Sequence, residues 1–147
     1  MLELQELRTY IENGRYADAL VLLGEMDEMS YDDKVNKIGS FVEILLLHLI
    51  KRQAEQRTTR SWDISIRNAV DNIVDVNKRR RARGFHLNHE EMQATIDEHY
   101  RRALRIASLE AFEGRYEAEE IDEMVDKNTI CATALALILD AQSGQVN

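Results

Sequence analysis

The sequence predicts an all-α protein, a single-domain bundle of about four to six helices joined by short connections. The length of 147 residues fits one domain spanning 1–147 and is enough to bury a core. The chain holds no proline and only six glycines, so it lacks the frequent turns that an all-β protein needs. Apolar residues make up 44% and charged residues 31% of the chain, which is typical of a folded globular protein.

Two helices are predicted in the N-terminal part of the chain. Residues 2–13 carry leucine, tyrosine and isoleucine at helical spacing, and Asn13 followed by Gly14 is typical of a helix end. A short second helix is predicted from about Arg15 to Met26, because its apolar residues recur every three or four positions.

A long central helix is predicted from residue 30 to about Ala54. It starts at "SYDD", a serine followed three positions later by an acidic residue, which is a capping-box pattern. Apolar residues cover one face and much of the remaining surface, as expected for a helix in the middle of a bundle. That face consists of Val35, Ile38, Val42, Leu45 and Leu49.

The next predicted helix holds the single tryptophan, within "RSWDISIR". Thr59 or Ser61 is the predicted N-cap residue. An apolar stripe with spacings of 4, 3, 4 and 3 predicts that Trp62 is mostly buried, while Arg60 and Arg67 face outward. The stripe consists of Trp62, Ile66, Ala69, Ile73 and Val76.

A further long helix is predicted to start at "LNHEE". Asn88 is its expected N-cap, and Glu91 stands at the third helical position, which together form a second capping box. Gly114 is expected to end this helix. Residues 115–126 carry six acidic residues and few apolar ones, so we expect a solvated helix or an ordered loop there.

The chain closes with a short, almost wholly apolar helix, expected to begin at a cap formed by Asn128 or Thr129 and to run to about Ala141. A helix without a polar face has to be covered on several sides. We therefore expect it either to fill the bundle or to contact a partner chain.

Charge is distributed unevenly along the chain. The net charge is −8, but residues 51–83 hold ten Lys and Arg against four Asp and Glu, which gives this segment +6 and the remainder −14. We expect the tryptophan-containing helix to run into "KRRRARG" (78–84), where the glycine closes it. An acidic body with one basic segment is not expected to bind nucleic acid over its whole surface.

Three features predict a cytoplasmic protein without membrane contact. Cys131 is the single cysteine and cannot form an internal disulfide, which suits a reducing compartment. Glu3 and Glu6 stand where a signal peptide would carry positive charge. The apolar stretch 130–139 is about half of the roughly 20 residues that a membrane-spanning helix requires.

His48, in "LLLHLIK", is the main candidate for chemistry. With Lys51 one turn later, its imidazole could form an acid–base or anion-binding pair. The alternative is a histidine at the edge of the core whose ring nitrogens bind a backbone carbonyl and a side chain. We favour this alternative, because no partner carboxylate is identifiable from the spacing.

Neither a metal site nor a catalytic motif is predicted. His86, His89 and His99 lie near glutamates, but Glu-x-x-His, His-x-x-x-His and His-Glu-x-x-His patterns are all missing from the sequence. Glycine-rich phosphate loops and nucleophile motifs are missing as well. We therefore expect no metal, no cofactor and no catalytic residues, and interpret the protein as not an enzyme.

The basic segment supplies the remaining binding candidates. The run "KRRRAR" (78–83) could contact phosphate or an acidic partner, or it could be a solvated helix end, since no aromatic residue interrupts it. Asp63 precedes Arg67 by four residues, the favourable order for an ion pair within a helix. We expect this pair to hold Arg67, and Arg57, Arg60 and the 78–83 run to stay free for a partner.

Two motifs together resemble a known family. "LLLHLIKRQ" followed by "RTTRSWDISIRNAVDNI" is similar to the bacterial family known as domain of unknown function 29, and "IDEHYRRALRIASLEA" resembles its later helix. The likeness covers residues 40–112. It implies an all-helical bundle and supplies no activity, and it places Lys51 and Arg60 at the same end of consecutive antiparallel helices. The matching positions are Leu46, His48, Leu49, Lys51, Arg60, Ser61, Trp62, Ser65, Ile66 and Arg67.

These patterns favour a non-catalytic interaction or regulatory protein that forms a homodimer or binds another protein. Residues 130–139 are the best candidate for its interface, because they offer more apolar helix surface than a small bundle needs. One alternative is a nucleic-acid-associated or antitoxin-like regulator that uses residues 51–83. The other is an enzyme with a site near His48. The candidate binding residues are His48, Lys51, Arg57, Arg60 and Arg67.

Overall fold

A computed structural model of the protein describes residues 2–79 and 84–144. In those residues the chain forms six α-helices and one 3₁₀ helix, without a β-strand, and the predicted all-α class is confirmed. The helices are α1 Leu2–Glu12, α2 Tyr16–Glu55, α3 Arg60–Asn77, α4 His89–Glu110, α5 Ala118–Met124 and α6 Lys127–Ser143; the 3₁₀ helix is Ala111–Gly114.

The chain divides into two compact units, Met1–Asn36 and Lys37–Asn147, and the boundary falls within α2. The first unit therefore consists of α1 and the N-terminal part of α2. The second contains the remainder of α2 and all later helices. The single domain over 1–147 stays a prediction.

The first unit is a helical hairpin. Its turn is at Gly14, whose φ of +73° is a conformation that glycine adopts without strain, and the predicted helix end at this position is confirmed. The Arg15 N–H donates to the Tyr10 carbonyl over 2.8 Å, which closes the turn. Ala19 and Leu22 on α2 are buried. Six further apolar residues of α1 and α2 within the unit remain exposed, in addition to Tyr31: Leu4, Ile11, Tyr16, Leu20, Val21 and Leu23.

The prediction of separate helices at 15–26 and 30–54 is wrong, since α2 runs continuously through both. The residues between them include no proline, and Met, Asp and Glu all continue a helix at low cost. Two helix ends would leave up to eight backbone groups without helical partners. The capping-box pattern at Ser30 was therefore a poor indicator, because serine and aspartate also occur inside long helices.

The core of the second unit is formed by α2, α3, α4 and α6. The predicted central position of α2 is confirmed, because its residues from 38 to 50 include the most deeply buried side chains of this unit. Helix α6 packs on α3 and α4, and α5 packs on α4. The α2 residues with no exposed surface are Ile38, Val42, Leu45, Leu46 and Ile50.

Close packing of α2 on α4 depends on Gly39. A Cβ atom at this position would clash with Nε2 of His99, so any other residue would force the imidazole ring to shift. The ring is oriented by its Nδ1, which pairs with a carboxylate oxygen of Glu43 one turn further along α2. Arg102 contacts the other oxygen of that carboxylate over 3.6 Å.

Besides the wrong cap at Ser30, three N-caps were predicted, and two of these are confirmed. The Thr59 hydroxyl accepts a hydrogen bond from the Trp62 N–H over 3.1 Å, and the capping box of Asn88 with Glu91 is complete. The cap of α6 is Asp126 instead of Asn128 or Thr129. The Asp126 carboxylate binds both the Asn128 N–H and the Thr129 hydroxyl, so the two predicted caps are partners of the actual one.

Helix α3 ends at Asn77, and the prediction that it continues into "KRRRARG" is wrong for Lys78 and Arg79. Residues 80–83 lie outside the described residues. The helix ends here because the chain returns to it: the His86 N–H donates to the Asn77 carbonyl over 2.8 Å. Lys78 is accordingly extended, with ψ of 130°.

The Asn77 side chain joins three segments of the second unit. It has no exposed surface. Its Nδ2 donates to the Leu87 carbonyl over 3.2 Å and to Oε1 of Gln142 over 2.8 Å. Its Oδ1 accepts from the Leu87 N–H over 2.8 Å. One amide thus connects the end of α3 to the segment before α4 and to the end of α6.

We predict that Asn77→Ala lowers the free energy of unfolding by about 3 kcal/mol, because it leaves the Leu87 backbone and Gln142 buried without partners. Urea denaturation measures this loss. Asn72→Ala, on an exposed position of the same helix, is the control and should cost less than about 0.5 kcal/mol. Equal losses in the two variants would contradict the connecting role of Asn77.

Candidate functional site

The indole ring of Trp62 is the centre of a cluster of charged side chains where α2 ends and α3 begins. Nζ of Lys51 lies 4.7 Å from the ring centroid, and the Arg57 guanidinium lies 4.8 Å from it. Trp62 is of intermediate burial and does not belong to the exposed residues, which agrees with the prediction that it is mostly buried. Cations over the face of an aromatic ring are attracted to it, so both contacts stabilise the position of the indole.

Lys51 links this ring to α4. The residue is only 5% exposed, and its Nζ donates to Oε1 of Glu110 over 2.9 Å. A buried ammonium needs a carboxylate, because its desolvation is otherwise uncompensated. Lys51 therefore holds together α2, α3 and α4 through one ion pair and one cation–π contact.

Glu55 provides a second link between α2 and the end of α4. Its carboxylate accepts from Nε of Arg57 over 2.9 Å and from the Phe112 N–H over 3.1 Å. Burial alone would raise the pKa of Glu55, but these two hydrogen bonds hold it below its usual value. Phe112 and Glu113 have φ values of +50° and +58°, a conformation that costs non-glycine residues energy. The bond to Glu55 helps to hold the chain in this turn.

His48 lies half-buried one turn before Lys51. Its Nδ1 is shielded from solvent and has no hydrogen-bond partner among the described residues, so the expected bonding of both ring nitrogens is wrong. Burial, and then the positive charge of Lys51, lower the pKa of His48. The imidazole is therefore neutral at pH 7, as suits a residue at the edge of the core.

The arginines of α3 are arranged differently from the prediction. The Asp63 carboxylate accepts from the Thr58 hydroxyl and lies 3.6 Å from Arg52, so it does not hold Arg67. Within the described part of the chain, the exposed side chains of Arg60 and Arg67 have no carboxylate at ion-pair distance. The expectation that Arg57 stays free is also wrong, because Glu55 and Trp62 engage it.

The cluster consists of two cations, two carboxylates and one aromatic ring. The sequence indicated Lys51 and Arg57 as candidate binding residues and Trp62 as a core residue, and it missed Glu55 and Glu110. The other candidates, His48, Arg60 and Arg67, are not members of the cluster.

Glu110 is 59 residues from Lys51 in sequence, so the spacing could not identify it as the partner. The one available indication was that a buried lysine needs a carboxylate next to it. Each cation of the cluster is paired with a carboxylate, Lys51 with Glu110 and Arg57 with Glu55. The cluster therefore holds three helices together, and neither of its cations is free to bind an anionic ligand.

Residues 130–139 form most of α6, the predicted interface. Ile130, Ala134 and Ile138 are buried against the second unit. A groove of about 420 Å³ runs beside them and is lined in part by Cys131, Leu135 and Leu139. Burial raises the pKa of the Cys131 thiol to about 11, so the thiol stays protonated and unreactive at neutral pH. Helix α6 is thus partly covered by its own chain.

The part of the chain that the structure describes contains neither a metal-binding group nor a membrane-spanning helix. Among 2–79 and 84–144, no group of three or more His, Cys, Asp and Glu side chains is close enough to hold a metal ion. No helix in that part of the chain combines the length and the hydropathy needed to cross a membrane.

We predict that Trp62→Ala lowers the free energy of unfolding by about 2–3 kcal/mol, because it removes a half-buried ring and both cation–π contacts. Ile64→Ala, at an exposed position one half-turn away, is the matched control and should cost less than about 1 kcal/mol. Thermal and urea unfolding measure both. A Trp62→Ala loss no larger than that of the control would disprove the clamp.

We also predict an acid-sensitive contribution to stability from His48. Since its folded pKa lies below the unfolded value of 6.5, the unfolded chain binds the proton first as the pH falls. The contribution is therefore complete above about pH 6.5 and is lost as the pH falls below it. Urea unfolding at about pH 7.5 and about pH 5.5 should show this loss in the wild type and a smaller one in His48→Leu. Glu55, with its lowered pKa, titrates below this window.

Comparison with known proteins assigns the chain by its sequence. A family model described as "Domain of unknown function DUF29" matches residues 4–123. The searches of curated proteins and of solved structures returned no match. The match includes the whole cluster around Trp62 and ends before α6. Because the family model matches more than half of the chain, this chain belongs to the DUF29 family.

Proposed function

We propose that this protein is a non-catalytic interaction protein of the cytoplasm that acts as a homo-oligomer. The observation that carries this proposal is the amount of apolar side chain left exposed in the first unit. Leu20 is 69% exposed, and Tyr16 and Val21 are each 64% exposed. Such a concentration of large apolar side chains on one hairpin is typical of a surface that another molecule covers.

The cluster around Trp62 supports a structural role over an enzymatic one. Lys51 and Arg57, the two cations that could bind an anionic substrate, are bound to Glu110 and Glu55. Catalytic groups usually face a cleft with their reactive atoms accessible. His48 instead has a shielded Nδ1 and is not among the residues that line the grooves described for the second unit.

The same ion pairs weaken the nucleic-acid alternative. Lys51, Arg52 and Arg57 from the basic segment each lie within ion-pair distance of a carboxylate. Among the described residues of this segment, Arg60, Arg67, Lys78 and Arg79 are exposed and have no carboxylate at ion-pair distance, and four cations supply only part of the phosphate contact on which non-specific binding depends. Residues 80–83 lie outside the described part of the chain. Protein–protein contact through an apolar surface is the function that the geometry supports better.

We predict that the purified protein forms a dimer at high micromolar concentration and dissociates on dilution, because apolar burial drives the association. Light scattering and sedimentation velocity over a dilution series measure this. A monomer at all concentrations would disprove the proposed homo-oligomer. If that monomer bound duplex or single-stranded DNA with a steep salt dependence, the nucleic-acid role would replace it.

A further inference from the structure

One face of α2 in the first unit carries an exposed stripe of four residues, Tyr16, Leu20, Leu23 and Asp27. Their spacings of 4, 3 and 4 place them on the same side of an α-helix. Tyr16 is 64%, Leu20 69% and Leu23 44% exposed, and Asp27 is exposed as well. The buried residues of the hairpin, Ala19 and Leu22, lie on a neighbouring face. The stripe is therefore not used within the unit.

The spacings of the four stripe residues, 4, 3 and 4, are symmetric about the midpoint between positions 20 and 23. When two such helices pack antiparallel about a twofold axis between positions 20 and 23, each Leu20 faces the partner's Leu23. Each Tyr16 then faces the partner's Asp27, which places a phenolic donor opposite a carboxylate acceptor. Spacings of 4 and 3 also form the seam of a left-handed pair of helices.

We propose that the Tyr16–Leu20–Leu23–Asp27 stripe is a homodimer interface, in which α2 packs antiparallel on α2 of a second copy. This inference rests on the proposed self-association and names its surface, register and partner. It assigns the dimer contact to the first unit, whereas the sequence pattern favoured residues 130–139.

The size of the exposed surface fits a weak dimer. The three apolar residues of the stripe, Tyr16, Leu20 and Leu23, are 64%, 69% and 44% exposed. At about 150–250 Å² for a large side chain, their exposed parts offer roughly 350 Å² per copy, compared with about 800 Å² in a standard interface, so the contact is small and the dimer weak.

The surroundings of the stripe allow a second helix to approach. A Cβ atom at Gly24, next to Leu23, would meet no atom within 4 Å, so the backbone there is open. The acidic residues Asp18 and Glu25 lie on the opposite side of α2, away from a partner on the stripe. Residues 1–36 nevertheless carry nine acidic against three basic side chains, so salt should strengthen the dimer by screening this repulsion.

The first test compares Leu20→Glu with Val21→Glu in the full-length chain. Both side chains are highly exposed, but Val21 lies off the stripe, about 100° further round the helix. Leu20→Glu should weaken dimerisation at least 100-fold in sedimentation velocity, because it places two carboxylates in an apolar contact. Val21→Glu should leave the dimer within about threefold of the wild type. Circular dichroism verifies that both variants keep their helix content.

The second test addresses the register through the charge opposite Asp27. Tyr16→Glu should weaken the dimer about tenfold or more, since it places a carboxylate against the partner's Asp27. Tyr16→Lys should keep or strengthen it, because it forms an ion pair there. The two variants remove the same aromatic ring, so their difference reports the charge alone. Combining Tyr16→Lys with Asp27→Lys should abolish the gain.

These tests separate the inference from the proposed function. A dissociated Leu20→Glu variant beside a dimeric Val21→Glu variant, with Tyr16→Lys tighter than Tyr16→Glu, supports the antiparallel stripe. A wild-type dimer in which Leu20→Glu and Val21→Glu behave alike, or in which the Tyr16 variants do, overturns the stripe or its register and leaves self-association intact. A monomeric wild type overturns both.

Discussion

The buried ammonium of Lys51 has to find a carboxylate, because a charge taken out of water without a partner costs several kcal/mol. That requirement places Glu110 at the end of α4 against α2. The lysine stem and amine in turn lie against Trp62 at the start of α3. Glu55 and the left-handed turn at Phe112 then follow, since the chain after Glu110 passes the end of α2 and donates to that carboxylate. The ends of three helices are thus positioned by one buried charge.

Buried polar groups determine the other end of the second unit as well. Apolar contacts between helices tolerate small shifts, whereas a buried amide loses its hydrogen bonds when its partners move. Asn77 therefore specifies where α3 ends and how α6 lies beside it. At the α2–α4 contact, the His99 imidazole occupies the space that the missing side chain of Gly39 leaves, and this fit also fixes the position of the two helices. The second unit combines an apolar core with polar contacts that select one arrangement of its helices.

The first unit has the opposite character. Its hairpin buries Ala19 and Leu22 but leaves larger apolar residues such as Leu20 in solvent, so its surface is incompletely covered. The two candidate regions differ accordingly: charges around Trp62 are satisfied within the chain, whereas the apolar stripe on α2 has no partner in its own unit.

The sequence by itself determined the helical class and local signals such as the Thr59 cap and the Asn88 box, because helix periodicity and caps depend on neighbouring residues. It did not determine all helix ends, since its patterns divided the continuous α2 and extended α3 beyond Asn77. It also indicated Lys51 and Arg57 as candidate binding residues and Trp62 as part of a buried apolar stripe. The tertiary structure alone decided that Glu110 pairs with Lys51 and that Asp63 turns to Thr58 instead of Arg67. These partners are chosen by packing between distant segments, since charged side chains bind the group that burial brings nearest, and sequence spacing does not record that distance.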